Sequence, residues 1–157
     1  MLENTVTDRA RVSNDLVVGM RQPTTEDLDA LAVEGFRSVV DLREEGERGQ
    51  RLAPEEEGTA VERRGMCYRH VPVPVDRLDD DRLNRVHREL AHVPKPAFVH
   101  CASGKRSGTL ALMHEGLTRG WSGQQVVDRA EQMGMAYGSA DVKDAIRHFV
   151  DRYAKPP

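Results

Sequence analysis

Short apolar segments alternate with helix-like segments along most of the chain, and this alternation constrains the fold more than any other feature. The apolar segments are 15–20, 36–42, 66–75 and 97–100. Each is followed by a longer segment with helical spacing or helix-capping residues. Strands that alternate with helices in this way favour a parallel sheet covered by helices. We therefore predict an α/β fold with a central, mostly parallel sheet flanked by helices.

Capping signals define the predicted helices, which are 24–34, 54–64, 80–92, 105–119, 122–133 and 139–153. Thr24 or Thr25 is a suitable N-cap for the first helix, and Gly35 follows its last turn. Pro72 and Pro74 should end regular pairing in the strand at 66–75. The last three helices are expected to cover one face of the sheet.

The length and composition are those of one globular domain at 1–157, with 1–10 as a loose N-terminal segment. A net charge of −3 gives no reason to expect nucleic acid or a membrane surface as a partner. The first residues have no apolar segment typical of a secretory signal. Two cysteines are too few for a disulfide scaffold, so a cytoplasmic location is expected. The six histidines show no paired metal-ligand spacing, and neither a metal nor another cofactor is predicted.

The segment 100–107, which consists of His-Cys-Ala-Ser-Gly-Lys-Arg-Ser, joins the last predicted strand to the helix at 105–119. Backbone N–H groups at a helix N-terminus bind anions, and they also lower the pKa of a nearby thiol. Lys105 and Arg106 add positive charge. We therefore predict that Cys101 is a nucleophile at the edge of an anion-binding loop.

Each residue of this loop has a predicted role in holding a tetrahedral anion. Gly104 allows a backbone conformation that turns successive N–H groups inward. Arg106 can grip two anion oxygens at once, and His100 should orient the loop through hydrogen bonds to its backbone. Ser107 offers a hydroxyl that would stabilise the Cys101 thiolate. The predicted phosphate-binding residues are Ala102, Ser103, Gly104, Lys105 and Ser107.

The pattern His-Cys-x-x-Gly followed by Arg-Ser resembles the signature loop of cysteine-dependent phosphatases of the dual-specificity type. Segments 22–23, 24–35, 36–47 and 68–76 resemble the same class in their order and sequence. Within this class the chain resembles the bacterial phosphatase-like domain of beta-lactamase hydrolase-like proteins, and the resemblance covers roughly 11–118. The resemblance implies a dual-specificity-phosphatase-like fold. It also implies hydrolysis of a phosphorylated protein or small phosphomonoester through a cysteinyl-phosphate, without a metal or cofactor.

One spacing departs from that class. Four residues separate Cys101 from Arg106, where most such phosphatases have five, so Ser107 occupies the usual arginine position. On a helix one residue means about 100° of rotation and about 1.5 Å of rise. Rhodanese-type sulfurtransferases also use a loop of the form Cys-x-x-Gly-x-Arg-Ser, and Asp41 to Glu44 resembles a stretch of that fold. The order of the other segments favours the phosphatase, and a catalytically weak phosphate-binding module is the third alternative.

Cysteine phosphatases use an aspartic acid to protonate the leaving group. Asp76 is the predicted general acid because it follows a strand-like segment and begins a loop that could cover the site. Asp79, Asp80 and Asp81 are alternatives, although Asp79 or Asp80 also suits the N-cap of the next helix.

Other residues have structural predictions. Cys67 is expected in the core, with a disulfide to Cys101 as the alternative. Arg43 should pair with an acidic neighbour, Trp121 should anchor two helices, and Lys105 suits either solvent or a substrate. The acidic stretches 44–47 and 55–57 are predicted to form a solvated surface.

Overall fold

A twisted sheet crosses the centre of the computed structural model, which describes residues 8–154. Within that range the sheet has five strands: β1 (Arg9–Arg11), β2 (Leu16–Gly19), β3 (Ser38–Asp41), β4 (Cys67–His70) and β5 (Ala97–His100). Their order across the sheet is β1-β2-β5-β3-β4. β2, β5, β3 and β4 are mutually parallel, and β1 runs antiparallel to β2 at one edge. The predicted mostly parallel α/β fold is confirmed.

Six helices form within the same range: α1 (Thr25–Glu34), α2 (Pro54–Glu62), α3 (Asp80–His92), α4 (Lys105–Arg119), α5 (Gly123–Gln132) and α6 (Ala140–Tyr153). The predicted caps of α1 are present. Thr24 Oγ1 accepts a hydrogen bond from the backbone N–H of Asp27, and Gly35 ends the helix in the left-handed region at φ 98°. The bounds of α3 and α4 agree with the prediction because capping residues and glycines fix them locally.

The sheet separates two layers of helices. On one face, Leu28 and Leu31 of α1 and Val61 of α2 pack with Val17, Val39 and Phe98 of the strands. The other face carries the larger cluster, formed by α3 to α6 with the alternate strand residues. The last three helices therefore cover one face as predicted, and α3 joins them there. Because both faces are covered, β2, β3 and β5 are buried along their whole length.

Several predicted elements are shorter than expected, among them β4 and α2. β4 ends at His70, since Pro72 and Pro74 that follow cannot donate hydrogen bonds to a neighbouring strand. α2 ends at Glu62, two residues early.

One strand was not predicted. β1 has the sequence Arg-Ala-Arg, which carries no strand periodicity, and it forms by pairing with β2 at the sheet edge. The part of the predicted loose segment from Arg9 onward is therefore ordered, and residues 1–7 lie outside the described range. No helix between residues 8 and 154 combines the length and apolar character needed to cross a bilayer.

Candidate active site

The carboxyl ends of the parallel strands meet at one edge of the sheet, where α/β folds commonly bind ligands. β5 lies in the middle of the sheet and ends at His100. Cys101 follows directly, and α4 begins four residues later at Lys105. The cysteine, the loop and a helix N-terminus therefore lie together at this edge.

Gly104 makes the tight turn into α4. Its φ is 88°, in the left-handed region that glycine adopts with little strain. A Cβ at this position would lie 2.6 Å from Met20 Sδ and 3.1 Å from Met20 Cα. Both the conformation and the space require glycine; the sequence predicted the conformation, and the close approach of Met20 is seen only in the structure.

Cys101 is buried, with 1% of its surface exposed, and its sulfur faces the start of α4. The backbone N–H of Ser107 donates to Sγ at 3.3 Å, and Ser107 Oγ lies 3.4 Å from the same sulfur. Burial alone would raise the pKa of the Cys101 thiol. The two Ser107 contacts, the charge of Arg106 and the N–H of Gly104 outweigh burial and lower the pKa below its ordinary value.

Arg106 lies in the first turn of α4 and is buried beside the loop. Its Nη1 donates to Glu47 Oε2 at 2.6 Å and to the Val73 carbonyl at 2.9 Å. Its Nη2 donates to Glu47 Oε1 at 2.7 Å. The guanidinium is thus clamped end-on by one carboxylate. Despite the short spacing it remains close enough to Cys101 to stabilise the thiolate.

Glu47 lies in the loop between β3 and α2, and its Oε1 also accepts a hydrogen bond from Arg43 Nε at 3.3 Å. Burial favours a higher pKa for Glu47, but its hydrogen bonds with Arg106 and the Glu44 N–H lower it overall. The predicted pairing of Arg43 with an acidic neighbour is confirmed. The prediction that 44–47 forms only a solvated surface is wrong at Glu47, because two buried guanidinium groups converge on it.

His100 is completely buried beneath the loop. Its Nε2 lies 2.5 Å from Glu57 Oε2 and 3.9 Å from Asp41 Oδ1. Burial would lower the pKa of His100, but the neighbouring Glu57 and Asp41 carboxylates raise it overall. The prediction that His100 acts through hydrogen bonds to the loop backbone is not supported. Its contact is a buried carboxylate, and Nδ1 has no partner among residues 8–154.

Glu57 is the second residue that the sequence misplaced. It lies in a stretch predicted to be solvated, yet it is fully buried. Gln22 Nε2 donates to Glu57 Oε1 at 2.8 Å and to the Leu52 carbonyl at 3.0 Å, and Gln22 Oε1 accepts from the Arg51 N–H at 2.9 Å. This network ties the loop after β3 to His100 below the cysteine. No local pattern could reveal it, because the partners lie 29 to 43 residues apart.

Asp41, Glu57 and His100 are also the three described residues whose ligand atoms come within 4.8 Å of one another. Such a set has the composition of a metal site. The 2.5 Å contact between Nε2 and Oε2, however, is a hydrogen bond that needs a proton between the two atoms. The arrangement therefore acts as a hydrogen-bonded support for the loop.

The remaining predicted loop residues are at the surface. Ala102, Ser103 and Lys105 are exposed at the mouth of the loop. Their backbone contacts to an anion remain a prediction.

The structure distinguishes the aspartates that the sequence offered as candidates for the general acid. Asp79 caps α3, because its Oδ1 accepts from the Arg82 N–H at 2.8 Å. Asp80 forms an ion pair with Arg152. Asp76 is exposed and lies three residues after Val73, whose carbonyl holds Arg106. Asp76 as the acid remains a prediction.

Tyr137, in the loop between α5 and α6, is a site neighbour that the sequence did not identify. Its hydroxyl is buried and has no hydrogen-bond partner within residues 8–154. Burial raises the pKa of Tyr137, while the nearby positive charge of Arg106 opposes that rise. The Tyr137 hydroxyl is thus close enough to Arg106 and Cys101 for their charges to act on its pKa.

Cys67 is not near the site. It begins β4 and pairs in register with Ser38, which pairs with Ala97, four residues before Cys101. Two strand spacings of about 4.8 Å and four residues of about 3.3 Å place the two cysteine Cα atoms roughly 16 Å apart. A disulfide needs Cα atoms within about 7 Å, so the alternative of a Cys67–Cys101 pair is wrong.

Trp121 follows α4, is partly buried against the large core cluster, and has the Arg129 guanidinium of α5 4.3 Å from its ring centroid. It therefore occupies the predicted position between two helices.

The fold is that of cysteine-dependent phosphatases. It superposes on the crystal structure of a DUF442 protein from Shewanella putrefaciens with a TM-score of 0.78 at 18% identity, covering 99% of this chain and 100% of that one. A cysteine-to-serine variant of Pseudomonas aeruginosa TpbA, in complex with phosphotyrosine, matches with a TM-score of 0.65 at 18% identity, covering 96% and 85%.

The family follows from the sequence. The family model of the beta-lactamase hydrolase-like protein, phosphatase-like domain, matches residues 8–117, and the chain belongs to that family. A beta-lactamase hydrolase-like protein of Xylella fastidiosa (strain Temecula1) is 32% identical over 117 residues, which are 74% of this chain and 26% of that protein. The chain thus spans about a quarter of the length of this relative.

Proposed function

We propose that the protein hydrolyses phosphomonoesters through a cysteinyl-phosphate intermediate. The observation that carries the proposal is the environment of Cys101. Its sulfur accepts the Ser107 N–H in a loop that ends at a helix N-terminus, with a clamped Arg106 beside it. A thiolate beside an anion-binding loop is the arrangement that attack on a bound phosphate requires.

The contacts of Arg106 support the proposal that the shortened loop binds phosphate. A guanidinium has five N–H donors. Nη1 uses both of its hydrogens, on Glu47 and Val73, and Nη2 uses one on Glu47. The Nε hydrogen and the second Nη2 hydrogen remain, and they lie on the same edge of the guanidinium. That edge can grip two phosphate oxygens while Glu47 holds the other end.

The proposed reaction has two steps. Cys101 Sγ attacks phosphorus, the bond to the leaving oxygen breaks, and Asp76 supplies the proton to that oxygen. Water then gives a proton to the Asp76 carboxylate and attacks phosphorus, which releases phosphate, and the electron pair of the S–P bond returns to Sγ. Ser107 Oγ, 3.4 Å from the sulfur, stabilises the departing thiolate. Arg106 and the loop N–H groups balance the charge on the phosphate oxygens in both steps.

Substrate class is part of the proposal. A phosphorylated protein or a small phosphomonoester suits the loop, and the TpbA complex contains phosphotyrosine in the same fold. The four-residue spacing between Cys101 and Arg106 is the main observation that favours sulfur transfer instead, beside the resemblance of Asp41 to Glu44 to that fold.

A paired assay on the purified protein tests the proposal: hydrolysis of para-nitrophenyl phosphate beside sulfur transfer from thiosulfate to cyanide. Phosphate release that disappears in Cys101→Ser and falls in Asp76→Asn is the expected result. Sulfur transfer without phosphate release would replace the proposal with the sulfurtransferase. Full hydrolysis by Cys101→Ser would end the mechanism, and phosphate binding without either turnover would indicate a binding module.

A further inference from the structure

A second polar site lies against the phosphate loop. An open groove of about 510 Å³ is lined by Arg21, Gln22, Thr24, Arg43, Arg48, Gly49, Arg51 and Ala102. Ala102 is the residue after the nucleophile Cys101, so the groove continues directly from the proposed catalytic loop. Four of its eight lining residues are arginines.

The four arginines are not equivalent. Arg43 is buried and its three nitrogens contact Glu47, Gln22 and the Arg48 carbonyl, so it is a structural support. Arg21 pairs with Asp8 and Asp27. Arg48 and Arg51 are exposed and form no ion pair with any residue in the described range 8–154. The unneutralised charge of the groove is therefore carried by these two side chains.

The backbone that bears this pair is held in place. The Arg51 N–H donates to buried Gln22 Oε1 at 2.9 Å, and Arg43 Nη2 donates to the Arg48 carbonyl at 3.0 Å. Gln22 also contacts Glu57, which reaches His100 below the nucleophile. One network therefore fixes both the catalytic loop and the arginine-bearing segment, which is the arrangement of a built recognition site.

The lining identifies the chemistry of the occupant. Arginine is suited to phosphate because its planar fork matches two oxygens. The groove has no aromatic and no large aliphatic residue among its described lining residues, so it offers no apolar pocket of the kind that peptide side chains occupy. Its volume is in the range of small-molecule sites. A compact polyol that carries two phosphates fits these properties better than an acidic peptide does.

We infer that the groove with Arg48 and Arg51 binds a second phosphate of a compact polyol bisphosphate substrate while the first phosphate occupies the Cys101 loop. This inference rests on the proposed function and specifies its substrate. The same headgroup chemistry occurs in free sugar or inositol phosphates and in phosphoinositide lipids, and the experiment separates these sources.

Binding is measured by calorimetry with the Cys101→Ser protein, which cannot turn the ligand over by the proposed mechanism. Inositol bisphosphate is expected to bind about tenfold or more tightly than inositol monophosphate. The double variant Arg48→Gln/Arg51→Gln in the same background should remove that difference. The matched control is Arg37→Gln/Arg63→Gln, which removes the same charge from exposed residues at the opposite edge of the sheet. It should retain the difference.

Turnover by the otherwise unaltered protein gives the second readout. The double groove variant should lose about tenfold more kcat/KM on inositol bisphosphate than on para-nitrophenyl phosphate. Phosphatidylcholine vesicles that contain phosphatidylinositol bisphosphate form a parallel arm. Faster hydrolysis in vesicles than of the free headgroup would assign the lipid source, and the reverse would assign the soluble one.

The outcomes separate the two proposals. Equal binding of mono- and bisphosphate, with normal hydrolysis of para-nitrophenyl phosphate, would overturn the inference and leave the phosphatase standing. Arginine-dependent bisphosphate binding without hydrolysis of any ester would support the recognition site and overturn the catalytic proposal. Tighter, arginine-dependent binding of an acidic phosphopeptide than of inositol bisphosphate would overturn the choice of a polyol.

Discussion

Ser107 contacts the Cys101 sulfur through two groups, its backbone N–H and its hydroxyl. Helix α4 holds the backbone N–H in place whatever the side chain is, so a substitution can remove the hydroxyl alone. This makes the residue a probe of how the buried thiol is kept acidic.

Ser107→Ala should raise the pKa of Cys101, because the thiolate loses a hydrogen bond, and a hydrogen bond to a charged group is worth about 1.5–3 kcal/mol. The rate of iodoacetamide alkylation as a function of pH measures this shift. Ser103→Ala, which removes an exposed hydroxyl from the same loop, is the control and should leave the profile in place. An unchanged profile in Ser107→Ala would assign the thiolate stabilisation to Arg106 and the backbone.

Glu47 orients Arg106 through the edge formed by Nη1 and Nη2, which is next to the proposed phosphate edge. Glu47→Gln keeps one acceptor oxygen but loses the charge and the second acceptor. The kcat/KM for para-nitrophenyl phosphate should fall by about tenfold, since breaking a charge-assisted pair costs roughly 1.5–3 kcal/mol.

Glu45→Gln is the matched control, because that side chain is exposed on the same loop. Activity of Glu47→Gln equal to that of the control would show that Arg106 needs no carboxylate to hold it.

Among the packed elements, α3 and α4 meet at a pair of histidines. Nδ1 of His87 and Nδ1 of His114 are 2.9 Å apart. Burial, with further contributions from His87 and Lys95, lowers the pKa of His114 from 6.5 to about 4. In the unfolded chain this histidine titrates at its ordinary value.

The sign of the pH dependence follows from that difference. Between pH 6.5 and about 4 the unfolded chain binds a proton that folded His114 does not, so acid lowers the free energy of unfolding. From about pH 7 to about pH 4.5 this one group should remove about 2 kcal/mol.

Urea unfolding at these two pH values gives the free energy of unfolding of the wild type and of His114→Gln. The variant should lose about 2 kcal/mol less than the wild type when the pH falls. His148→Gln, at an exposed position of α6, should behave as wild type. Equal acid sensitivity in all three proteins would show that His114 does not cause the loss of stability in acid.

Across the whole sheet, parallel strands gather their carboxyl ends at one edge and their amino ends at the other. Cys101 and Cys67 lie at opposite edges for this reason. Mild oxidation of the folded protein with diamide should therefore form no disulfide between them.

Mass spectrometry of the alkylated, digested protein detects such a disulfide directly. The same oxidation in denaturant, where the chain no longer separates the two thiols, is the positive control. A linked peptide pair from the folded sample would contradict the strand order.

Much of the fold was predictable because its signals are local. The cap at Thr24, the glycines at 35 and 104, and the helical spacing of α3 depend on neighbouring residues alone. Most element bounds agree with the sequence for this reason. β1 escaped prediction because its three residues form a strand only through the partner at the sheet edge.

The features of the candidate site also divide into those with local sequence signals and those that depend on contacts between distant segments. Local signals were enough to predict the order of strands and helices, the left-handed turn at Gly104, and the placement of Cys101 and Ser107 around one helix N-terminus. Long-range packing was needed to establish that Glu47 clamps Arg106 across 59 residues and that Glu57 lies buried under His100 across 43. A charged stretch has the same sequence pattern whether solvent or a buried cation faces it, because burial depends on packing between distant segments.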